Sequence, residues 1–397
     1  MKYTYASIVP LIGGETLGME RVFKKRPDYI LSYSAFKAND EQLLNHYNYE
    51  VPYHVLDEEK NFKPNTVDVV NSVCPCAGLS SLSPSSSAEN KANDWMIQTA
   101  QYVLSEVKPK VFWGENAPRL ASKMGEPIVN KLREIAEKEG YVLSLYKTKS
   151  LLHGLSQVRD RTFYFFWQGA EIPILPFFNR PHEKIENTIR ETEYSENDPM
   201  NVLTSDKIPS ENPWYRYVLE VVEGGISHKE FQTKIKKTIN PFDHIENSGV
   251  TYKEVGVWMK ENGYDKEHKR CHTISDKLEA GGSIMRKTIE VPKEYIGAFV
   301  GHLPGSLSHP DEDRYLTIRE ALNIMKMPTD FNLMGGKKNL NMICQNVPVT
   351  TAADMAQCVH DALDKKLDIV HSKFLVQDNR KQTNDYESTS NLNSFLS

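Results

Sequence analysis

Short apolar runs alternate with helix-period segments through the first part of the chain. Val67 to Val70, Val111 to Trp113 and Val142 to Leu145 are each brief and rich in branched residues, the pattern of strands buried in a parallel sheet. Between the first two, Trp95, Met96, Thr99, Ala100, Val103, Leu104 and Val107 recur at helical spacing. Between the next two, Leu120, Met124, Ile128, Leu132 and Ile135 do the same. Pro109 stops the first of these helices and Gly140 the second. Repetition of strand, helix and strand predicts an α/β fold built on a doubly wound, mostly parallel sheet, with ligands beyond the carboxyl ends of its strands.

From about Pro173 the alternation breaks. Pro173, Pro176 and Pro181, charged spacers and Asn-Pro and Ser-Asn turns fill the chain to about 310, so a smaller, irregular domain is expected over 173–310, inserted between an N-terminal part at 1–172 and a C-terminal part at 311–372. Alternation resumes at Leu316 to Met325. Met355, Val359, Ala362 and Leu363 then outline a helix begun at Thr350 and Thr351. Residues 373–397 are polar and low in core formers, which predicts a loose tail.

A length of 397 residues suits one large domain with an elaboration. With 48 Lys and Arg against 53 Asp and Glu, the net charge of −5 excludes a histone-like polybasic chain but leaves room for a local basic face. The start, Met1-Lys2-Tyr3-Thr4-Tyr5, has no apolar signal core, and no run approaches the roughly 18 apolar residues of a membrane span. Five scattered cysteines make no disulfide framework, so the expected location is a reducing cytoplasm.

Three segments carry candidate chemistry. Cys76, in Cys74-Pro75-Cys76-Ala77-Gly78, follows the first apolar strand, a position that suits a nucleophile and equally a small buried side chain. Glu115, in Glu115-Asn116-Ala117-Pro118, stands at the carboxyl end of the second strand, where an acid is more often a helix-cap neighbour. Arg159 and Arg161, in Gln157-Val158-Arg159-Asp160-Arg161, lead into an aromatic strand at Thr162 to Trp167 and alternate onto one face. Alone, they would more often be surface ion pairs. A zinc site is poorly supported, because beyond the Cys-x-Cys pair only Cys271-His272 clusters.

In this order the three segments resemble the DNA cytosine-5 methyltransferase signatures Pro-Cys-Gln, Glu-Asn-Val and Gln-x-Arg-x-Arg. Ile12-Gly13-Gly14 with Leu17-Gly18 resembles the cofactor loop of that family, and Arg314 to Ala321, Met327 to Phe331 and Gln345-Asn346-Val347-Pro348 resemble its closing motifs. The resemblance covers residues 1 to about 170 and 310 to 365. It implies a Rossmann-like methyltransferase fold, with the insert as target-recognition domain; there, Thr273-Ile274-Ser275 with Gly281 and Gly282 resembles the recurrent recognition loop. Val9, Leu11 and Ala77 depart from the family's Phe, Gly and Gln, and its ribose-binding acid is replaced by Tyr33 or Ser34.

The resemblance further implies methylation of cytosine C5 in double-stranded DNA, with S-adenosyl-L-methionine as donor. Cys76 thiolate would add to C6 of a flipped-out base, making C5 nucleophilic enough to take the methyl group. Glu115 would relieve the developing charge at ring N3, while Arg159 and Arg161 hold the base oxygen and its phosphate and orient Glu115. Ile12, Gly13, Gly14, Asp57, Pro75 and Gln345 would bind the cofactor. DNA would meet Ser80 and Ser81 in the Ser-rich loop after Cys76, together with Thr273, Ser275, Gly281 and Gly282. Lys234, Lys236, Lys237 and the run Lys266 to Arg270 would neutralise phosphates or form solvated helix faces. The implied setting is a monomer or transient dimer in a prokaryotic or phage-infected cell, with a restriction endonuclease as possible partner. The same chemistry on RNA, transfer of a different group, or an inactive DNA-binding relative stay open.

Overall fold

The computed structural model describes residues 2–74, 78–79, 87, 89–284, 288–299 and 303–386. They form two compact units, one of 1–182, 325–334 and 345–397 and the other of 183–324 and 335–344.

The first unit is built on a nine-stranded sheet. Its strands are β1 (Tyr5–Ile8), β2 (Ile30–Ser32), β3 (Tyr53–Val55), β4 (Val69–Val73), β5 (Val111–Asn116), β6 (Tyr141–Lys149), β7 (Asp160–Gln168), β10 (Phe374–Asp378) and β11 (Thr383–Tyr386), in the order β11-β10-β6-β7-β5-β4-β1-β2-β3. β8 (Glu171–Pro173) and β9 (Ile369–His371) make a separate two-stranded ribbon. Pairing is parallel from β3 through β5 and between β6 and β10. The aromatic strand β7 runs antiparallel between β5 and β6, and β11 runs antiparallel on the edge. The mostly parallel doubly wound sheet expected from the alternation is therefore present.

Helices α1 (Gly14–Phe23), α2 (Lys37–His46), α3 (Asp94–Tyr102) and α4 (Glu126–Glu139) follow β1, β2, β4 and β5. A π turn at Val103–Val107 extends α3, and Gly140, at φ +81°, ends α4. Leu120 and Met124 precede α4 rather than belonging to it, because Pro118–Ala121 is a separate 3-10 turn. Asn71 of β4 and Cys74 just beyond it reveal both faces. Asn71 bonds Ser7, to which Thr16 of α1 bonds, whereas Cys74 looks toward Thr99 of α3. Alternation along a strand places α1 and α3 on opposite sides of the sheet.

The second unit contains α5 (Ile185–Arg190), α6 (Pro213–Tyr217), α7 (His228–Lys234), α8 (Pro241–Ser248), α9 (Tyr252–Glu261), α10 (Asp265–Glu279) and α11 (Ile318–Ile324), with all but the last residue of α12 (Leu340–Gln345). Its core includes Trp214, Phe231, Phe242, Val255, Met259 and Ile274. The chain then returns to the sheet unit with α13 (Val349–Leu363), which lies so close to α1 that a Cβ on Gly18 would stand 2.6 Å from that of Ala352.

Three boundaries differ from expectation. Residues 173–182 stay with the sheet, since Leu175 and Phe178 amides donate to Gln377 Oε1 and Asn379 Oδ1 at 2.9 and 2.7 Å. Residues 311–324 belong to the second unit, tied by Arg319 to Asp198 at 2.6 Å and by Arg190 to Asp311 at 2.6 Å. The expected tail is in part structural: Phe374, Leu375 and Val376 are buried in β10, a strand too short to show beside its polar neighbours. Residues 387–397 of that segment lie outside the described residues.

Candidate active site

Glu115 is the fifth residue of β5, paired in register with Val73 of β4 and Phe163 of β7. Gly114 just before it permits this packing, because a Cβ there would stand 2.2 Å from the Ser72 carbonyl oxygen and 2.3 Å from the Tyr164 hydroxyl. The Glu115 side chain is 2 % exposed, and its Oε1 accepts from Arg161 Nε at 2.5 Å. An Arg159 guanidinium nitrogen lies 3.9 Å from the same oxygen. Arg161 also donates to its neighbour's carbonyl, on Asp160, at 2.7 Å. Two permanent cations thus hold one buried carboxylate, a geometry in which loss of either partner leaves charge stranded in a low dielectric.

The strand-end acid and the two arginines, 44 and 46 residues apart, therefore converge in space as expected. Asn116 folds back, its Oδ1 accepting from the Ala117 amide at 2.8 Å. Cys76, Pro75, Ser80 and Ser81 lie outside the described residues. Cys74 is buried, with Ser72 Oγ at 3.2 Å and the Tyr164 hydroxyl at 3.8 Å from its sulfur. Burial pushes its thiol pKa up, so Cys74 is the inert small side chain that was one reading of the pair. The base of the Ser-rich segment is tied: the Ser87 amide donates to the Gly78 carbonyl at 3.0 Å, and Asn93 donates to the Ser87 carbonyl at 2.9 Å.

At the carboxyl end of β1, Ile12 is buried and Gly13, at φ +99°, turns the chain into α1. A Cβ on Gly14 would stand 2.0 Å from the Val347 carbonyl, and the Gly14 amide donates to Asn346 Oδ1 at 2.8 Å. Asn346 thus closes over the α1 N-terminus, whereas Gln345, expected to bind the cofactor, accepts from Asn39 Nδ2 at 3.3 Å. Val9 and Leu11 occupy the left-handed region at φ +51° and +52°, a rare conformation for residues with branched side chains. Asp57, exposed after β3, accepts from the amide and hydroxyl of Ser34 at 2.8 and 2.5 Å. Burial raises its pKa, but these bonds and Lys37 outweigh it and leave the carboxyl below its ordinary value. Tyr33, Phe36 and Trp95 form an aromatic group beside the β2 end, with centroids 4.9 and 5.1 Å apart.

Sequence reasoning missed Glu15, Asn71 and Asp40, all buried at the carboxyl ends of these strands or on the helices beside them. The signal was slight: a Glu in a first helical turn ordinarily just faces the helix dipole. In the second unit, Thr273 and Ser275 lie within α10, and Gly281 and Gly282 directly follow it. The segment expected as a recognition loop is helical because Cys271 and Ile274 bury a stripe against α9. Lys234 pairs with Glu223, and Arg270 stacks 5.5 and 5.0 Å from the rings of Trp214 and Phe242. Lys236 and Lys237 are exposed. Among the described residues, no cluster of three metal-ligating side chains occurs, and no helix is long and apolar enough to cross a membrane.

No curated protein matches the chain. Among solved structures, it is similar to a protein described as a DNA modification methyltransferase encoded within an E. coli prophage, at 15% identity and TM-score 0.54, over 91% of this chain and 99% of that one. It is also similar to the Entamoeba histolytica methyltransferase EhMeth, at 13% identity and TM-score 0.51, over 91% and 99% of the two chains. At such identities the likeness establishes the fold, a Rossmann-like methyltransferase sheet with flanking helices. The model of the C-5 cytosine-specific DNA methylase family matches residues 3–360, and with the acid and arginines of its signatures assembled here, the chain belongs to that family.

Proposed function

We propose that the protein methylates C5 of cytosine in duplex DNA, with Cys76 as nucleophile. The observation behind this reading is the buried Glu115 held by Arg161 and Arg159 at the strand end beside the one that leads to Cys76. Thiolate addition at C6 places electron density on the ring. Glu115, within the arginine pair, holds a proton at N3 and relieves that charge. Once C5 carries the methyl group, a base removes the C5 proton and the C6–S bond breaks, returning the Cys76 thiolate. Arg159 and Arg161 orient Glu115 and neutralise the flipped nucleotide. Because C6 is inaccessible inside a stacked duplex, the base leaves the helix, and Ser80 and Ser81 would contact the DNA.

Members of this fold generally use S-adenosylmethionine, and the residues present suit it. The Gly13–Gly14 turn packs too tightly against Leu43, Asn346 and Val347 to admit a Cβ, which brings the α1 N-terminus close to the strand end where a ligand sits in this fold. When bound, the donor supplies an electrophilic methyl group. Ile12, Gly13, Gly14 and Pro75 would line its site, Gln345 would border it, and Asp57, whose oxygens each retain an acceptor direction, would take the adenine amino group. The second unit serves as target-recognition domain, meeting DNA through Thr273, Ser275, Gly281 and Gly282.

Nucleoside mass spectrometry of DNA from cells expressing the chain or its Cys76→Ser variant tests the reading. The expected result is 5-methylcytosine with the wild-type chain alone. A heavier C5 adduct would replace the donor, whereas unmodified DNA or a product retained by Cys76→Ser would overturn the assignment.

A further inference from the structure

The family match ends at residue 360, yet the sheet continues past it: β10 and β11 form a hairpin whose turn, Asn379 to Gln382, stands at the carboxyl end of β10. The Asn379 amide donates to the Lys147 carbonyl at 2.8 Å, which fixes this turn beside the carboxyl end of β6. Lys149, the last residue of β6, pairs in register with Asp160, the residue before Arg161 on β7. The hairpin turn is therefore at the same end of the sheet as Glu115 and Arg161. Alternation turns Lys147 and Lys149 to the face opposite Thr148, the residue paired with Arg161, so they flank the reactive acid without entering its pocket.

Four cations gather at this end, Lys147, Lys149, Arg380 and Lys381, against the two carboxylates of Asp160 and Asp378. Arg380 forks onto Asp378 at 2.9 and 2.8 Å and lies 3.6 Å from Asp160, while Lys147 stands 3.5 Å from Asp378. Asp378 is thus already shared between two cations. Lys149, half-buried, and Lys381, exposed, close no ion pair among the described residues. Burial, together with the charges of Arg380 and Lys381, holds the Lys147 pKa below its ordinary value although Asp378 opposes it. A local positive surplus is thereby concentrated on a chain whose net charge is −5.

We propose that the β10–β11 turn and the end of β6 form a phosphate-binding rim, with Lys149 and Lys381 neutralising backbone charges of duplex DNA beside the target base. This rests on the proposed DNA substrate. Strands β10, β6, β7 and β5 are consecutive neighbours, so the turn is three strand spacings, roughly 14 Å, from the strand of Glu115. Duplex DNA carries one charge per about 1.7 Å of axis, so a helix that delivers a base to Glu115 has phosphates within that reach. Lysines suit the task because they act as point charges, whereas the planar fork of Arg380 is committed to Asp378. Contacts of this kind position the duplex and carry no sequence information.

Fluorescence anisotropy with a mixed-sequence DNA duplex and a matched single-stranded RNA, read from about 50 to 200 mM salt, tests the rim through the double substitution Lys149→Gln and Lys381→Gln. On the duplex, the slope of log affinity against log salt should flatten by about 1.8, near 0.9 for each lysine, and binding at about 100 mM salt should weaken about tenfold or more. Lys149→Arg with Lys381→Arg should restore both values, and calorimetric affinity of the Gln variant for S-adenosylhomocysteine should match the wild-type protein. An unchanged slope would overturn the inference while wild-type binding to the duplex left the DNA reading intact. Failure of the Arg pair to restore the slope, or a parallel loss of S-adenosylhomocysteine affinity, would make the two lysines structural and overturn it as well. A loss confined to the RNA would assign the rim to another partner, and failure of the wild-type protein to bind the duplex would remove both readings.

Discussion

Asp40 on α2 is fully buried, accepts from the Tyr53 hydroxyl at 3.0 Å, and has an Oδ1 without a partner among the described residues. Burial lifts its pKa from the ordinary 3.8 to about 7, against the opposing pull of Ser32, Tyr53 and the Leu11 amide. Between those values the folded protein retains a proton that the unfolded chain has lost. Stability therefore falls as pH rises through this window and levels off above about 7. Roughly three pKa units at about 1.4 kcal/mol each give on the order of 4 kcal/mol. Asp40→Asn keeps the shape and an acceptor for Tyr53 but cannot ionise. Relative to the wild-type protein, its stability should rise by up to about 4 kcal/mol between pH 4 and pH 8 and then stay constant. Urea unfolding followed by tryptophan fluorescence at half-unit pH steps measures that difference. A difference that does not change with pH would refute the assignment of a buried, ionising Asp40.

Arg161→Ala should cost about 2–4 kcal/mol, below the full effect of breaking a buried pair because Arg159 remains 3.9 Å from Glu115. A double-mutant cycle with Glu115→Ala should return a coupling of about 1 kcal/mol or more; a coupling near zero would contradict the geometry. Gly14→Ala forces a methyl group within 2.0 Å of the Val347 carbonyl and should cost about 1–3 kcal/mol while weakening donor binding in calorimetry. An unchanged melting temperature would show that the closing segment yields freely. In the proposed mechanism Glu115→Gln lowers single-turnover methylation strongly with little loss of donor affinity, and an unchanged rate would assign N3 to another group.

Much of the sheet unit was legible because buried parallel strands and amphipathic helices write their period into the chain. β4, β5 and β6 were visible as apolar runs, although the first register was placed two residues early. β10 was not visible, since its burial is conferred by Leu143 and Leu145 of β6, remote in sequence. Glu115, Arg159 and Arg161 could be nominated from motif order, but nothing local distinguishes an arginine on a buried acid from one in solvent. Helix α10 shows the converse: the resemblance carried by Thr273-Ile274-Ser275 and the paired glycines implied a loop, while Cys271 and Ile274 supplied a helical stripe too sparse to recognise alone.

By itself, then, the sequence determined the alternation and the doubly wound class, because these follow from local period, and it nominated the candidate reactive groups by motif order. Tertiary structure alone decided that Asn346 caps the turn before α1, that β7 enters antiparallel to bring Arg161 onto Glu115, and that Glu15 is buried facing Asn71. Each of those depends on desolvation and on partners from distant segments. A side chain's charge is written in the chain, whereas the dielectric around it and the groups that answer it exist only once the fold has closed.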